Sequence, residues 1–238
     1  MNKISIIIPI LNEADFIGDL LQHLLDKSSK ENISDIIVVD GGSTDGSQGI
    51  VESFSHRDKD PETRSGLPCH LIKFMTSAKG RAKQMNLGAK QATGNILYFL
   101  HADSFPPKDF DKHIINEVSK NNLAGCFRMQ FDHKHWWLRL ASWLTQFRWR
   151  ACRGGDQSQF ITKILFNEIG GYDENYTIYE DNILINELYS RKEFVVIQNR
   201  IKTSARCYKK NGVWKLQYHF WAIYVKRWFG ASPDELQD

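Results

Sequence analysis

Apolar and polar positions along this chain change period repeatedly, and the changes mark out its elements. Lys3 to Ile10 is nearly continuous in apolar residues, as a strand covered on both faces should be, and it runs into Pro9-Ile-Leu-Asn-Glu13. Phe16, Ile17, Leu20, Leu21, Leu24 and Leu25 then recur at helical spacing. Ile36 to Val39 is a second apolar run, closed by Asp40-Gly-Gly-Ser-Thr-Asp45. Strand, helix and strand make a βαβ unit. A short helix over Ser47 to Phe54, a polar loop over His56 to Pro68 and a third strand over His70 to Phe74 are expected next. Lys79-Gly-Arg-Ala82 opens a helix that reaches about Ala92 and ends at Gly94. Ile96 to Leu100 is a fourth buried strand, and His101 and Asp103 follow at its carboxyl end.

The second half patterns differently. Lys108 to Lys120 reads as a helix and Ala124 to Phe131 as a strand. Trp136, Leu140, Trp143 and Phe147 fall at i, i+4, i+7 and i+11, on a helix expected over His135 to Phe147. Arg153-Gly-Gly-Asp-Gln157 is a polar turn before a short strand, and Gly170-Gly171 closes a short helix. Tyr179-Glu-Asp-Asn182 opens another helix. A last helical stripe carries Trp214, Tyr218, Trp221, Val225 and Trp228 between Val213 and Phe229.

Composition narrows the class. With 238 residues, 42% of them hydrophobic, the chain has material for one sizeable core. The net charge of +3 does not point to nucleic acid. Four scattered cysteines without a CxxC pair argue against a zinc ribbon or a disulfide framework and fit a reducing, cytoplasmic setting. No apolar run approaches the roughly 18 residues of a membrane span. The apolar run at the start lacks a cleavage site and reads as a strand, not a signal peptide. No G-x-G-x-x-G and no P-loop is present.

The polar residues gather at strand ends, where an open parallel sheet binds its ligands. Asp103 there suits a metal ligand against a phosphate, or simply the start of the turn into Pro106-Pro107. Lys79 and Arg81 at a helix amino terminus suit an anion, or a solvated basic turn. Asp181 reads alone as a helix-start acid, Asp156 and Gln157 as turn residues, and Arg206 as a surface cation.

Taken as an ordered set, these stretches resemble the family 2 glycosyltransferases. The matching pieces are Pro9-Ile-Leu-Asn-Glu13, Val38-Val-Asp-Gly-Gly-Ser-Thr-Asp-Gly46, Lys79-Gly-Arg-Ala82, Leu100-His-Ala-Asp103 and Glu180-Asp181. Gly155-Asp-Gln157 and Thr203-Ser-Ala-Arg206 are further similar to a small, soluble bacterial subgroup. The resemblance implies a GT-A fold: an α/β domain with a mostly parallel central sheet flanked by helices and an aromatic-rich helical carboxyl-terminal part. The whole chain, 1–238, would be one domain, with a nucleotide-binding half over 1–103 and an acceptor-binding half over 104–238. It implies inverting transfer of a sugar from a nucleoside-diphosphate sugar to a carbohydrate or lipid-linked hydroxyl, the nucleotide being UDP with GDP the alternative. Asp40 would contact the nucleoside, over a floor built by Pro9, Leu11, Glu13 and Gly42. Lys79, Arg81 and Arg206 would face the diphosphate, with Ala102 beside it. Asp156 and Gln157 would meet the donor sugar. Asp103 matches the last acid of the family's metal motif, and His101 replaces the first acid. A neutral His ligates Mn2+ better than Mg2+. Asp181 would be the general base and Glu180 its helper, whereas Asp45 suits a helix cap.

Two rival classes stay open, a nucleotidyltransferase of similar fold and a non-catalytic nucleotide-sugar binder. The first would want a glycine-rich loop after strand one, and the second has no use for Asp181. All seven tryptophans lie within Trp136–Trp149 and Trp214–Trp228, both of which carry basic residues. Those stripes fit a core, a peripheral contact with the inner membrane face, or a homodimer.

Overall fold

A computed structural model describes residues 2–55, 71–176, 178–229 and 235. Among them, eight strands form one sheet. The strands are β1 (Ile4–Ile10), β2 (Ile33–Asp40), β3 (Ile72–Thr76), β4 (Ile96–Phe99), β5 (Ser104–Phe105), β6 (Ala124–Phe131), β7 (Gln159–Thr162) and β8 (Val195–Thr203). Their order across the sheet is β3-β2-β1-β4-β7-β6-β8-β5. The helices are α1 (Ala14–Lys27), α2 (Ser47–Ser55), α3 (Arg81–Gln91), α4 (Phe110–Ser119), α5 (Trp136–Leu144), α6 (Lys163–Ile169), α7 (Glu180–Ser190), α8 (Arg206–Asn211) and α9 (Val213–Trp228).

Alternation along β1 shows why the sheet is covered twice. Ile4, Ile6, Ile8 and Ile10 point to one face, where Ile17, Leu20, Leu21 and Leu24 of α1 pack with Val51, Phe54 and Phe110. Ile7 points to the other face, against Ala82, Met85 and Ala89 of α3 and Leu184, Ile185 and Leu188 of α7. A buried Ile or Leu stabilises the fold by about 1.5–3 kcal/mol, so this apolar run fixes the middle of the sheet. α3 lies so close to β1 that a Cβ on Gly88 would come within 2.5 Å of Ile7 Cγ2.

Parallel pairing of β1 with β2 and β4, and of β2 with β3, brings the carboxyl ends of the first four strands to one edge. Beyond β4 the sheet turns mixed. β7 runs antiparallel to both β4 and β6, and β6 runs parallel to β8. Two strands go beyond those the pattern led one to expect, β5 and β8. Their antiparallel contact, Ser104 with Thr203 and Phe105 with Lys202, ties the stretch after β4 to the chain leading into α8.

Other expectations shift by a few residues. The third strand begins at Ile72 rather than His70, which lies outside the described residues together with the loop from His56 to Pro68. The helix expected over His135 to Phe147 stops at Leu144, where Thr145 caps it with its N–H on Ser142 O and Trp143 O. Its stripe is not core. Trp136 and Trp143 are 60% and 50% exposed, whereas Leu138 on the opposite side is fully buried. The reason is tertiary: α5 packs on β6 through the Leu138 side.

Candidate active site

The crevice at the strand ends is stitched by its own loops. Asn12, after β1, adopts a left-handed φ of 58°, which Asn tolerates better than most side chains. Its N–H donates to Ser43 Oγ at 2.8 Å and its Oδ1 accepts from Thr44 N at 2.9 Å. Asp40 ends β2 fully buried and accepts from Ser43 N, Ser43 Oγ, Gly42 N and Gln48 Nε2. In this state its oxygens hold the loop, and the nucleoside contact expected of it finds none of them exposed. Gly42 is exposed beside it with φ 98°. Asp45 acts on two helix starts, accepting from Ala14 N at 2.9 Å and Ser47 N at 3.0 Å. Pro9 and Leu11 are half-buried on the same edge.

Antiparallel pairing of Phe99 with Gln159 sets the polar turn before β7 beside the residues that follow β4. That pairing builds the centre of the site. Gly155 sits so close to Asp181 and His101 that a Cβ there would overlap Asp181 Oδ2 and come within 3.3 Å of His101 Nε2. Asp181 and Glu180 open α7, where a helix amino terminus favours negative charge. Arg81, at the start of α3, puts Nη1 3.3 Å from Glu180 Oε1 and 3.7 Å from Asp181 Oδ2.

Electrostatics tune this cluster. Burial, with the Glu180 charge adding to it and Arg81 opposing, pushes Asp181 up to about 7. Glu180 is raised as well, mainly by burial, against the pull of Arg81. Burial and the charges of Arg81 and Arg206 push His101 down to about 3, so its imidazole is neutral at ordinary pH. Tyr172 is buried, and the charges of Asp181 and Glu180 help to raise its hydroxyl.

A second cluster lies at the other side of Asp103. The β5–β8 contact continues as Ser204 N donating to Asp103 O at 3.1 Å, which delivers Arg206 to the site. Arg206 Nε lies 3.0 Å from Asp103 Oδ2, and Arg206 Nη2 lies 2.5 Å from Glu13 Oε1. The guanidinium also covers the Phe16 ring at 4.7 Å. The structure thus joins Glu13 just before α1, Asp103 between β4 and β5, and Arg206 of α8, and Ala102 next to Asp103 is buried.

Lys79 is exposed on the approach to α3. Gln157 is 4% exposed, accepts from Arg153 Nη1 at 2.6 Å and donates from Nε2 to Cys152 O, so its amide braces the turn before β7. The Asp156 side chain lies outside the described residues.

The donor set suits a divalent cation in chemistry, a carboxylate oxygen on Asp103 and a neutral imidazole nitrogen on His101. Among the described residues no three His, Cys, Asp or Glu side chains come together to enclose an ion. Most of its coordination would fall to ligand and water oxygens, as for hard cations on phosphates.

Sequence reading missed several supporting groups. Gln84 is buried on α3 and donates to Ile10 O and Val39 O, tying the ends of β1 and β2 together. A polar residue beside Ala82 and Met85 on a helix was the signal. Arg153 is 2% exposed and donates to Thr145 O and Phe147 O as well as to Gln157. Arg150 donates to Asn182 O and Oδ1, anchoring the start of α7. These pairings join separate elements, and no spacing in the chain announces them.

A half-sheet of parallel strands with ligand-facing ends, joined to a mixed half that supplies an acid, is the GT-A class of glycosyltransferase fold. Residues 5–176 match Glycosyl transferase family 2, and the chain belongs to that family. It is 29% identical over 109 residues to the poly(ribitol-phosphate) β-N-acetylglucosaminyltransferase TarS of Staphylococcus aureus, covering 46% of this chain and 18% of TarS. It is 24% identical over 203 residues to the undecaprenyl-phosphate 4-deoxy-4-formamido-L-arabinose transferase of Proteus mirabilis, covering 83% of this chain and 55% of that one. The chain therefore spans at most about half the length of these relatives. Among solved structures, S. aureus TarS with UDP-GlcNAc superposes with a TM-score of 0.64 at 18% identity, covering 85% of this chain and 58% of that one. The mannosyltransferase PcManGT of Pyrobaculum calidifontis with GDP-Man and Mn2+ gives 0.66 at 18% identity, covering 93% and 60%.

Proposed function

We propose that the protein is an inverting glycosyltransferase, moving a sugar from a nucleoside-diphosphate sugar to an acceptor hydroxyl with Asp181 as general base. The observation that carries this is the setting of Asp181 itself. Its carboxylate is buried against Gly155, which also borders His101, and burial raises its proton affinity to about 7. A base so tuned can take a proton as the acceptor oxygen attacks, and give it up again near neutral pH.

In this reading the donor lies over the ends of β1, β2 and β4 with its diphosphate toward Lys79, Arg81 and Arg206. The acceptor hydroxyl approaches from the Asp181 side. It attacks the anomeric carbon opposite the departing nucleoside diphosphate, its proton passes to Asp181, and the configuration inverts. Arg81 faces both the diphosphate and the Glu180–Asp181 pair, so it balances charge as the leaving group forms. Asp103 with His101 would hold a divalent cation, Mn2+ or Mg2+, which when bound supplies positive charge to the leaving diphosphate. The ligands named with the superposing structures, UDP-GlcNAc and GDP-Man with Mn2+, support a nucleotide-sugar donor. A relative named for undecaprenyl phosphate supports a lipid-linked acceptor.

The test is a thermal-shift panel of nucleoside diphosphates and nucleotide sugars with and without Mn2+, paired with turnover of the Asp181→Asn variant. UDP or GDP should stabilise the wild type in the presence of metal. Asp181→Asn should keep that shift while turnover falls about 10²–10⁴-fold. A panel in which no nucleotide shifts the melting point would remove the donor assignment, and unchanged turnover in Asp181→Asn would remove the base.

A further inference from the structure

Helices α5 and α9 carry apolar side chains that the fold leaves uncovered. Trp136, Leu140 and Trp143 line α5 at 60%, 39% and 50% exposure. Trp214, Tyr218, Trp221 and Val225 line α9 at 52%, 68%, 49% and 50%. The two stripes meet, with the Trp136 and Trp214 rings 5.9 Å apart and Trp137 touching both Trp214 and Trp221. Over its described positions α9 has no buried residue. A contiguous apolar patch left open to solvent marks an interaction site.

Charge says which partner. No acidic residue occurs from His133 to Gly155 or from Ile201 to Ser232. Arg139, Lys215 and Lys226 are exposed on the same two helices. A second copy packed by two-fold symmetry on this face would bring two cationic, acid-free surfaces together, and like charges across an interface oppose association. Trp and Tyr rings among basic side chains instead match a bilayer interface, where rings sit at headgroup depth and cations meet anionic lipid.

We propose that the α5–α9 face docks on an anionic lipid bilayer. The same face reaches the site. Tyr224 of α9 packs its ring 5.5 Å from Tyr179 and shares a 3.4 Å hydrogen bond with Asn182 Oδ1, next to Asp181. Docking therefore sets the acceptor side of the crevice at the headgroup layer. No helix among the described residues is long and apolar enough to cross a membrane.

The test is co-sedimentation of the full chain with phosphatidylcholine vesicles, with and without one quarter phosphatidylglycerol. No donor or metal is added, so the outcome is separate from that of the transfer reading. The wild type should partition at least tenfold more onto the anionic vesicles, and added salt should weaken retention. The doubles Trp143→Ala/Tyr218→Ala and Arg139→Glu/Lys215→Glu, each checked for cooperative thermal unfolding, should each lose most of that retention. Absence of wild-type binding, equal binding to neutral vesicles, or unchanged binding by both folded doubles overturns the proposal. So does a stable dimer in sedimentation velocity that Trp143→Ala dissociates.

Discussion

Arg206 Nε lies 3.0 Å from Asp103 Oδ2 while Nη2 of the same guanidinium reaches Glu13, so one cation from late in the chain spans two carboxylates of its first half. Arg206 thus stands where positive charge is wanted beside Asp103. It also holds Glu13, whose other oxygen Oε2 is buried with no hydrogen-bond partner.

If Asp103 is the metal ligand, Arg206 competes with the ion until a diphosphate draws it away. Arg206→Gln should tighten Mn2+ binding to the donor-free protein about threefold, the scale of a partly exposed ion pair. The same variant should weaken UDP binding in the presence of Mn2+. Electron paramagnetic resonance of free Mn2+ reads the first and calorimetry the second. Weaker Mn2+ binding would show that Arg206 supports the ion's site instead of competing for it.

The raised proton affinity of Asp181 gives the rate a direction with pH. The base is active when ionised, so kcat/KM should climb as pH rises through about 7 and then level off. Arg81 lowers the proton affinity of Asp181, so Arg81→Gln should move that limb to higher pH. Stability runs the other way. The folded state keeps the proton up to about 7 while the unfolded chain releases it near the ordinary carboxylate value of 3.8. The stabilisation is complete below the unfolded value and is lost as pH rises through 7. The melting temperature of Asp181→Asn relative to wild type should therefore rise between pH 5 and 8, and a flat difference would argue that Asp181 titrates normally.

Gly155 is required for its lack of a side chain. A Cβ there would overlap the Asp181 carboxylate, and either the carboxylate or the turn must shift. Gly155→Ala should cut kcat by about 10²-fold, the cost of misplacing a reacting group by an ångström. Gly154→Ala, where an added Cβ meets nothing within 4 Å, controls for the altered backbone and should leave the fold intact. Equal kcat in both variants would show that the carboxylate has room to move.

Sequence alone carried the doubly covered strands, the helices of the first half and the polar strand ends. Each of these is a local periodicity, and burying a continuous apolar run between two helical layers leaves few other arrangements. The motifs also pointed to Asp103, Glu13, Arg81, Arg206 and Asp181 as one site. Tertiary structure decided how those residues meet. The β4–β7 pairing carries Gly155 to Asp181, the β5–β8 contact carries Arg206 to Asp103, and Arg81 reaches Glu180 across 99 positions of chain. It also decided burial. Nothing in the sequence shows that Asp40 and Gln157 are buried and hydrogen-bonded to Gln48 and Arg153. The stripe on α5 has the period of a core face, yet Leu138 on its other side is what β6 covers. Periodicity defines a face but not its partner, because the partner comes from residues far away in the chain.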